Sequence, residues 1–234
     1  MRAISSMATR HVLADLNSAA VTAGLPAVEV ESVGGVDAAK RVAAGEPFDL
    51  VFLADGALNR LADGGHVDAD SVTPLVLSQV AAAVASHTDE PAARPEGTAF
   101  PDAEGLRAAL KAASRVGYST GPSGTALVRM IEGWGLTSEL GDRLVQARPG
   151  VPVAKLLADG EVDLGFQQLS ELVGQPGVRI LGVLPPDCAI DTVFAGAVAA
   201  VADDRAAALE VLRFFASETA APIVTAHSFA RVQP

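Results

Sequence analysis

The chain has 234 residues, half of them hydrophobic but only 4% aromatic, with 28 acidic against 17 basic side chains and a formal charge of -11. That length admits one large domain or two small ones, and Ala, Val and Leu must fill the core. The net negative surface repels phosphate backbones and acidic bilayers, which argues against nucleic acid and anionic membranes as partners.

Cys188 is the single cysteine, so neither an intrachain disulfide nor a Cys-based zinc site can be built. No run reaches the roughly 18 uninterrupted apolar residues of a membrane span. The N-terminus lacks the charged, apolar and small-residue succession of an export signal. As written, the sequence therefore reads as soluble and cytoplasmic. A chain from which a signal had been removed would read the same way and be periplasmic or extracellular.

Residues 3–5 read as a short strand. Met7, Ala8, Val12, Leu16 and Ala19/Ala20 then recur at helical spacing until Gly24-Leu25-Pro26 stops them. Residues 27–33 read as a strand, Gly34-Gly35 as a turn, and 36–44 as a helix closed by Gly45. "FDLVFLAD" (48–55) is a short apolar run bounded by turn signals, hence a buried strand, and a helix carrying Leu58 and Leu61 on one face follows. This β-α-β-α-β-α order points to parallel strands with helices on the sheet faces.

"LSQVAAAVAS" (77–86) reads as a strand that leads into a surface excursion, "HTDEPAARPEGTAFPD" (87–102). A second series begins with a helix over 103–113, the strand "RVGYS" (115–119), the turn "TGPSG" and a helix over 125–134. A helix over 153–159 and strands over 162–166 and 178–184 complete it. "DTVFAGAVAAVA" (191–202) resembles residues 77–86 in its small-residue character. Asp203 or Asp204 then caps a helix running to Phe215, and a helix-like tail follows near Pro222.

Two long strands of one character on either side of the middle block suggest that the chain leaves one lobe, builds a second and returns. The expected lobes are 1–80 with 197–234, and 84–190, with hinge strands near 77–86 and 191–200. One continuous doubly wound sheet with an insertion accounts for the same pattern.

Four strand-to-helix junctions carry small or hydroxyl residues: Ser5-Ser6, Gly34-Gly35, "STGPSGT" (119–125) and Val151-Pro152. The first amides of a helix have no intrahelical partner and sit at its positive dipole end. Glycine lets a ligand approach the backbone and Ser or Thr adds a donor, so an anion can be held without Lys or Arg. Such ends lie where open α/β sheets bind ligands. The structural alternative at each junction is an ordinary cap worth roughly 1 kcal/mol, or a plain turn. The neutral amides of Gln167-Gln168, after the strand at 162–166, could donate to an oxyanion or merely cap the next helix.

Catalytic signatures are thin. "GPSGT" has Thr125 where a nucleophile elbow needs its second Gly, and no HExxH, Walker or GxGxxG pattern occurs. His11, His66, His87 and His227 are scattered. His11, Arg10 and Arg148 read as surface residues near candidate junctions. Asp49 and Asp55 read as strand-end groups and Cys188 as a packed small residue. No catalytic residue, metal ligand or cofactor is assigned.

The sequence resembles the molybdate-binding proteins of ABC uptake systems, in the type II periplasmic-binding-protein superfamily. "ISSMATRHVLADL" is similar to that family's first strand, hydroxyl pair and helix. "VESVGGVDAAKRVAAGEPFDLVFLAD", "LADGEVDLGFQQLSEL" and "RFFASETAAPIVTAHSF" are similar to later segments. The resemblance implies a two-lobed α/β fold, each lobe a mixed sheet flanked by helices, joined by two hinge strands. It implies an oxyanion held by Ser5 or Ser6, Gly34 or Gly35, the Gly121, Ser123 and Gly124 turn, and Val151. The family's Tyr falls near Gln167 or Gln168, and its usual Ser falls at Gly34-Gly35. With these departures a small carboxylate fits at least as well as molybdate. The implied partners are a small anion and an ABC permease. A cytosolic sensor or a small-carboxylate isomerase on the same scaffold is the alternative.

Overall fold

The computed structural model describes residues 1–232, so Gln233 and Pro234, the end of the first expected lobe, lie outside the described residues. The chain forms two compact units. Unit 1 is Met1–Leu77 together with the chain from Val193 onward, and unit 2 is Ser78–Thr192.

Unit 1 opens with β1 (Arg2–Ser6), α1 (Arg10–Thr22), β2 (Glu29–Val33), α2 (Gly35–Ala43), β3 (Leu50–Ala54) and α3 (Asp55–Asp63). Parallel strands need long crossovers, and α1 and α2 supply them. β1 pairs in parallel with β2, bringing Ser5 opposite Ser32 and Ser6 opposite Val33, and in parallel with β3, bringing Ser5 opposite Phe52. Gly45 ends α2 at φ +79°, with its amide on the Val42 carbonyl and the Glu46 amide on that of Arg41. A side chain there would strain the left-handed turn.

β4 (Thr73–Ala85) begins in unit 1 and ends in unit 2. Unit 2 continues with α4 (Ala103–Ala112), β5 (Val116–Tyr118), α5 (Pro122–Gly133), α6 (Thr137–Leu140), β6 (Leu144–Gln146), α7 (Val153–Ala158), β7 (Leu164–Gln168), α8 (Leu169–Leu172) and β8 (Val178–Val183). β5 pairs in parallel with β6 and β7, while β7 and β8 each run antiparallel to β4. β9 (Asp191–Val198) begins in unit 2 and ends in unit 1. There it pairs antiparallel with β3, and α9 (Arg205–Phe215), α10 (Ala221–Ala226) and β10 (Ala230–Arg231) complete the chain. The sheet of each unit is thus mixed.

Each unit buries both faces of its central strands, which is why the runs at β3, β4 and β9 are largely apolar. In unit 1, Ala3, Leu50, Phe52 and Phe194 pack with α1 and α9 on one face. Phe52 and Phe215 stack there with ring centroids 5.7 Å apart. Ile4, Val51, Leu53 and Ala195 pack with α2 and α3 on the other. In unit 2, Val80, Ala82 and Phe166 face α4 and α5, while Ala81 and Ala83 share a core with α7 and α8.

Several boundaries differ from expectation. α5 starts at Pro122 rather than Thr125, because Pro at the first helical position gives up an amide that has no intrahelical partner. β7 includes Gln167 and Gln168, which were expected beyond it. β9 ends at Val198, and Asp204 is the cap of α9, accepting from the Ala207 amide at 3.0 Å. α6, β6 and α8 were not foreseen. They span three or four residues each, too short to show a period.

Candidate functional site

In unit 1 the carboxyl ends of β1, β2 and β3 lie side by side, and each passes directly into a helix. The two serines at the first end have different tasks. The Ser5 hydroxyl is fully buried, lies 2.7 Å from the Ser32 hydroxyl and donates to the Ser6 carbonyl at 3.2 Å. It ties β1 to β2. The Ser6 hydroxyl is buried and has no hydrogen-bond partner, although Ser6 occupies the cap position of the single turn Met7–Thr9. Only its carbonyl is used, accepting also from Thr9 Oγ1 at 3.3 Å. The ordinary capping explanation therefore fails for Ser6. A buried hydroxyl left unpaired costs about 1–3 kcal/mol.

That hydroxyl belongs to a residue packed against the start of α2. A β-carbon placed on Gly35 would lie 3.7 Å from Ser6 Cβ. Gly34 precedes α2 without a side-chain cap, and a β-carbon there would meet nothing within 4 Å. The first intrahelical bond runs from the Ala38 amide to the Gly34 carbonyl, so the amides of Gly35, Val36 and Asp37 come before it. Ser6, Gly34 and Gly35 thus form one group of neutral donors. The third end is different, because Asp55 accepts from the Gly56 amide at 2.6 Å and fills the start of α3 with its own carboxylate.

In unit 2 the corresponding ends belong to β6, β5 and β7. Gly121 precedes α5 without a side-chain cap, and Ser123 is buried with its hydroxyl 2.9 Å from that of Ser119. Gly124 is required: a β-carbon would sit 1.8 Å from the Ser119 carbonyl oxygen. Gly121, Ser123 and Gly124 therefore form a tight hydroxyl-bearing helix start.

The other expected positions in unit 2 are engaged internally. Gln167 Oε1 accepts from the Val153 amide at 2.8 Å, and its Nε2 donates to Glu171 Oε2 at 2.5 Å. It caps α7, a helix earlier in the chain, and leaves that amide no freedom for another acceptor. The Val151 amide donates to the Arg148 carbonyl at 3.0 Å. Gln168 Nε2 donates to Thr192 Oγ1 at 3.0 Å, while its Oε1 is buried without a partner. Burial raises the Glu171 carboxyl above the usual glutamate range, opposed by the Gln167 bond.

His11 is exposed, with its Nε2 2.9 Å from Arg10 Nη2. Burial and then the Arg10 charge lower its pKa. Asp49 accepts from the amides of Arg2 and Asp203, as a strand-end group does. Cys188 packs in the core shared with α4 and α5. Among the described residues no group of three or more His, Cys, Asp or Glu side chains could hold a metal, and no helix is long and apolar enough to cross a membrane. Glu171 and Thr192 were missed in the sequence. The first stands four residues after Gln167, at the spacing that brings two side chains onto one helical face, while the second gives no local signal.

A family model for bacterial extracellular solute-binding proteins matches residues 2–230. The chain belongs to that family. A relative within reach of sequence comparison is an aconitate isomerase from Pseudomonas sp, 32% identical over 188 residues, which are 79% of this chain and 68% of the relative. Among solved structures, this solute-binding fold is similar to the periplasmic molybdate-binding protein of Azotobacter vinelandii, with 18% identity, TM-score 0.76 and full coverage of both chains. It is also similar to a sulfate-binding protein of Mycobacterium tuberculosis, with 17% identity, TM-score 0.70, and coverage of 100% of this chain and 87% of the other. The type II periplasmic-binding-protein fold inferred from the sequence is the observed one.

Proposed function

We propose that this member of the solute-binding family binds a small anion, with Ser6 and the start of α2 as the donor group of unit 1. The supporting observation is the Ser6 hydroxyl, buried, unpartnered and next to an uncapped helix start whose glycines leave the backbone open. Neutral donors at a helix N-terminus hold an anion without a counter-charge, which suits a protein of net charge -11. In unit 2 the start of α5, with Gly121, Ser123 and Gly124, is an uncapped helix start of the same hydroxyl-bearing kind. An ABC permease is the partner to which such a protein would deliver its ligand.

The test is calorimetric titration with molybdate, tungstate, sulfate, phosphate and small di- and tricarboxylates, on the native chain and on Ser6→Ala. The expected result is saturable binding of at least one anion, weakened roughly tenfold or more by the substitution, as removal of a hydrogen bond to a charged group predicts. Absence of binding by every anion would overturn the reading.

A second reading, isomerisation of a small unsaturated carboxylate, is favoured by the 32% identity to an aconitate isomerase. A proton shift along such a substrate needs one group that accepts and returns a proton and a cradle for the carboxylates. Proton NMR of cis- and trans-aconitate incubated with the protein decides this reading: interconversion supports it and unchanged spectra reject it.

A further inference from the structure

Two large apolar side chains next in sequence to the unit 1 donor group stand exposed. Met7 directly follows Ser6 and is 41% exposed, and Val36 directly follows Gly35 and is 68% exposed. Among the described residues only Val21 and Val201 are other large hydrophobic side chains with comparable exposure. Single exposed apolar residues need no explanation. These two, however, are the chain neighbours of Ser6 and Gly35, and Ser6, with its unpaired buried hydroxyl, has its Cβ 3.7 Å from the β-carbon position of Gly35. Met7 begins the single turn Met7–Thr9 and Val36 is the second residue of α2, at neighbouring parallel strand ends where Ser6 stands opposite Val33.

We propose that the unit 1 site is built for an organic carboxylate, whose hydrocarbon part lies against Met7 and Val36 while a carboxylate takes the Ser6 hydroxyl and the α2 amides. The inference rests on the small-anion reading and narrows its ligand class. A tetrahedral oxyanion presents oxygen in every direction, so apolar walls beside it remove water from its oxygens and return no hydrogen bond. A carboxylate on a carbon chain has one charged end and an apolar flank, and burying that flank is favourable in proportion to its area. The donors match this division. The hydroxyl and amides converge on the β1 and β2 ends, and the neighbouring β3 end already carries the Asp55 carboxylate.

The experiment compares affinities on the intact chain by calorimetry, with molybdate and sulfate as inorganic probes and succinate and propane-1,2,3-tricarboxylate as organic ones. Native protein, Met7→Gln and Val36→Thr are titrated. Both substitutions keep side-chain length or branching while adding polarity, and circular dichroism with thermal melting verifies that each is folded. The expected result is at least tenfold tighter binding of one carboxylate than of either inorganic ion, with that ratio reduced fivefold or more in each variant. Tighter binding of molybdate or sulfate, or a ratio that neither substitution changes, would overturn the inference and leave the small-anion reading standing. Absence of binding by all four probes together with every other anion of the wider panel would overturn both.

Discussion

The Ser5 hydroxyl lies 2.7 Å from the Ser32 hydroxyl, joining two parallel strands at their carboxyl ends. Ser5 is wholly buried and Ser32 half-buried, so a Ser5 hydroxyl that lost Ser32 could not turn to water instead. Ser5→Ala should cost about 1–2 kcal/mol of unfolding free energy, the usual cost of leaving one polar partner behind. The double substitution with Ser32→Ala should cost less than the sum of the singles, because it removes both halves of one bond. Urea denaturation of the four proteins measures this. Anion affinity in Ser5→Ala should fall far less than in Ser6→Ala, since the Ser5 hydroxyl is already engaged.

The contrast between these adjacent serines shows how far the sequence could be read. A hydroxyl pair at a strand-to-helix junction was visible as candidate donors, and so were the glycines after β2. Which hydroxyl is free depends on the register of β1 against β2, a relation between residues 27 positions apart. The first three strands and helices of unit 1 were legible because helices and strands of five or more residues carry their own period or run length, whereas the two-residue β10 carries neither. In unit 2 the strand β6 spans only three residues and makes its pairing with β5 through tertiary structure. Gln167 illustrates the same limit. As a polar residue at a strand end it was ambiguous between donor and cap, and the backbone it caps, at Val153, lies 14 residues away.

Gly124 provides a steric test. Its β-carbon position is 1.8 Å from the Ser119 carbonyl oxygen, a backbone atom that cannot turn aside. Gly124→Ala should destabilise unit 2 by roughly 3 kcal/mol or more, at or beyond the usual cost of overpacking. Gly133, in the last turn of the same helix, would meet nothing within 4 Å. Gly133→Ala should leave stability equal or raise it by up to about 1 kcal/mol, through the lower chain entropy of the unfolded state. Thermal melts of both variants decide it, and equal behaviour of the two would contradict the close packing of α5 on Ser119.

Glu171 predicts a pH dependence. Burial raises its carboxyl pKa, so the folded chain keeps this proton to a higher pH than the unfolded chain does. The resulting contribution to stability is fully present below the ordinary glutamate value and declines as pH rises toward the raised one. Glu171→Gln removes the ionisation while leaving an oxygen to accept from Gln167. The variant should gain on the native protein as pH rises from about 4 and hold a constant margin beyond the raised value. Urea denaturation of both proteins across that range measures the difference. A margin that shrinks with rising pH would show that the carboxylate form is the one the fold favours.

Cys188 gives a chemical test of the unit 2 core. Burial first, and then the neighbouring Asp187 charge, push its thiol up to about 11. At pH 8 only roughly 1 thiol in 1000 would be thiolate, against roughly a quarter for an unperturbed cysteine, and thiolate is the reactive form. The side chain is also 8% exposed, so a disulfide reagent must wait for local opening. Native protein should therefore react with a chromogenic disulfide at least a hundredfold more slowly than free cysteine at pH 8. The same protein in urea should release one equivalent at once. Fast reaction of the native chain would mean that Cys188 is not packed among the residues of α4 and α5, and would undo the core assigned to that face of the sheet.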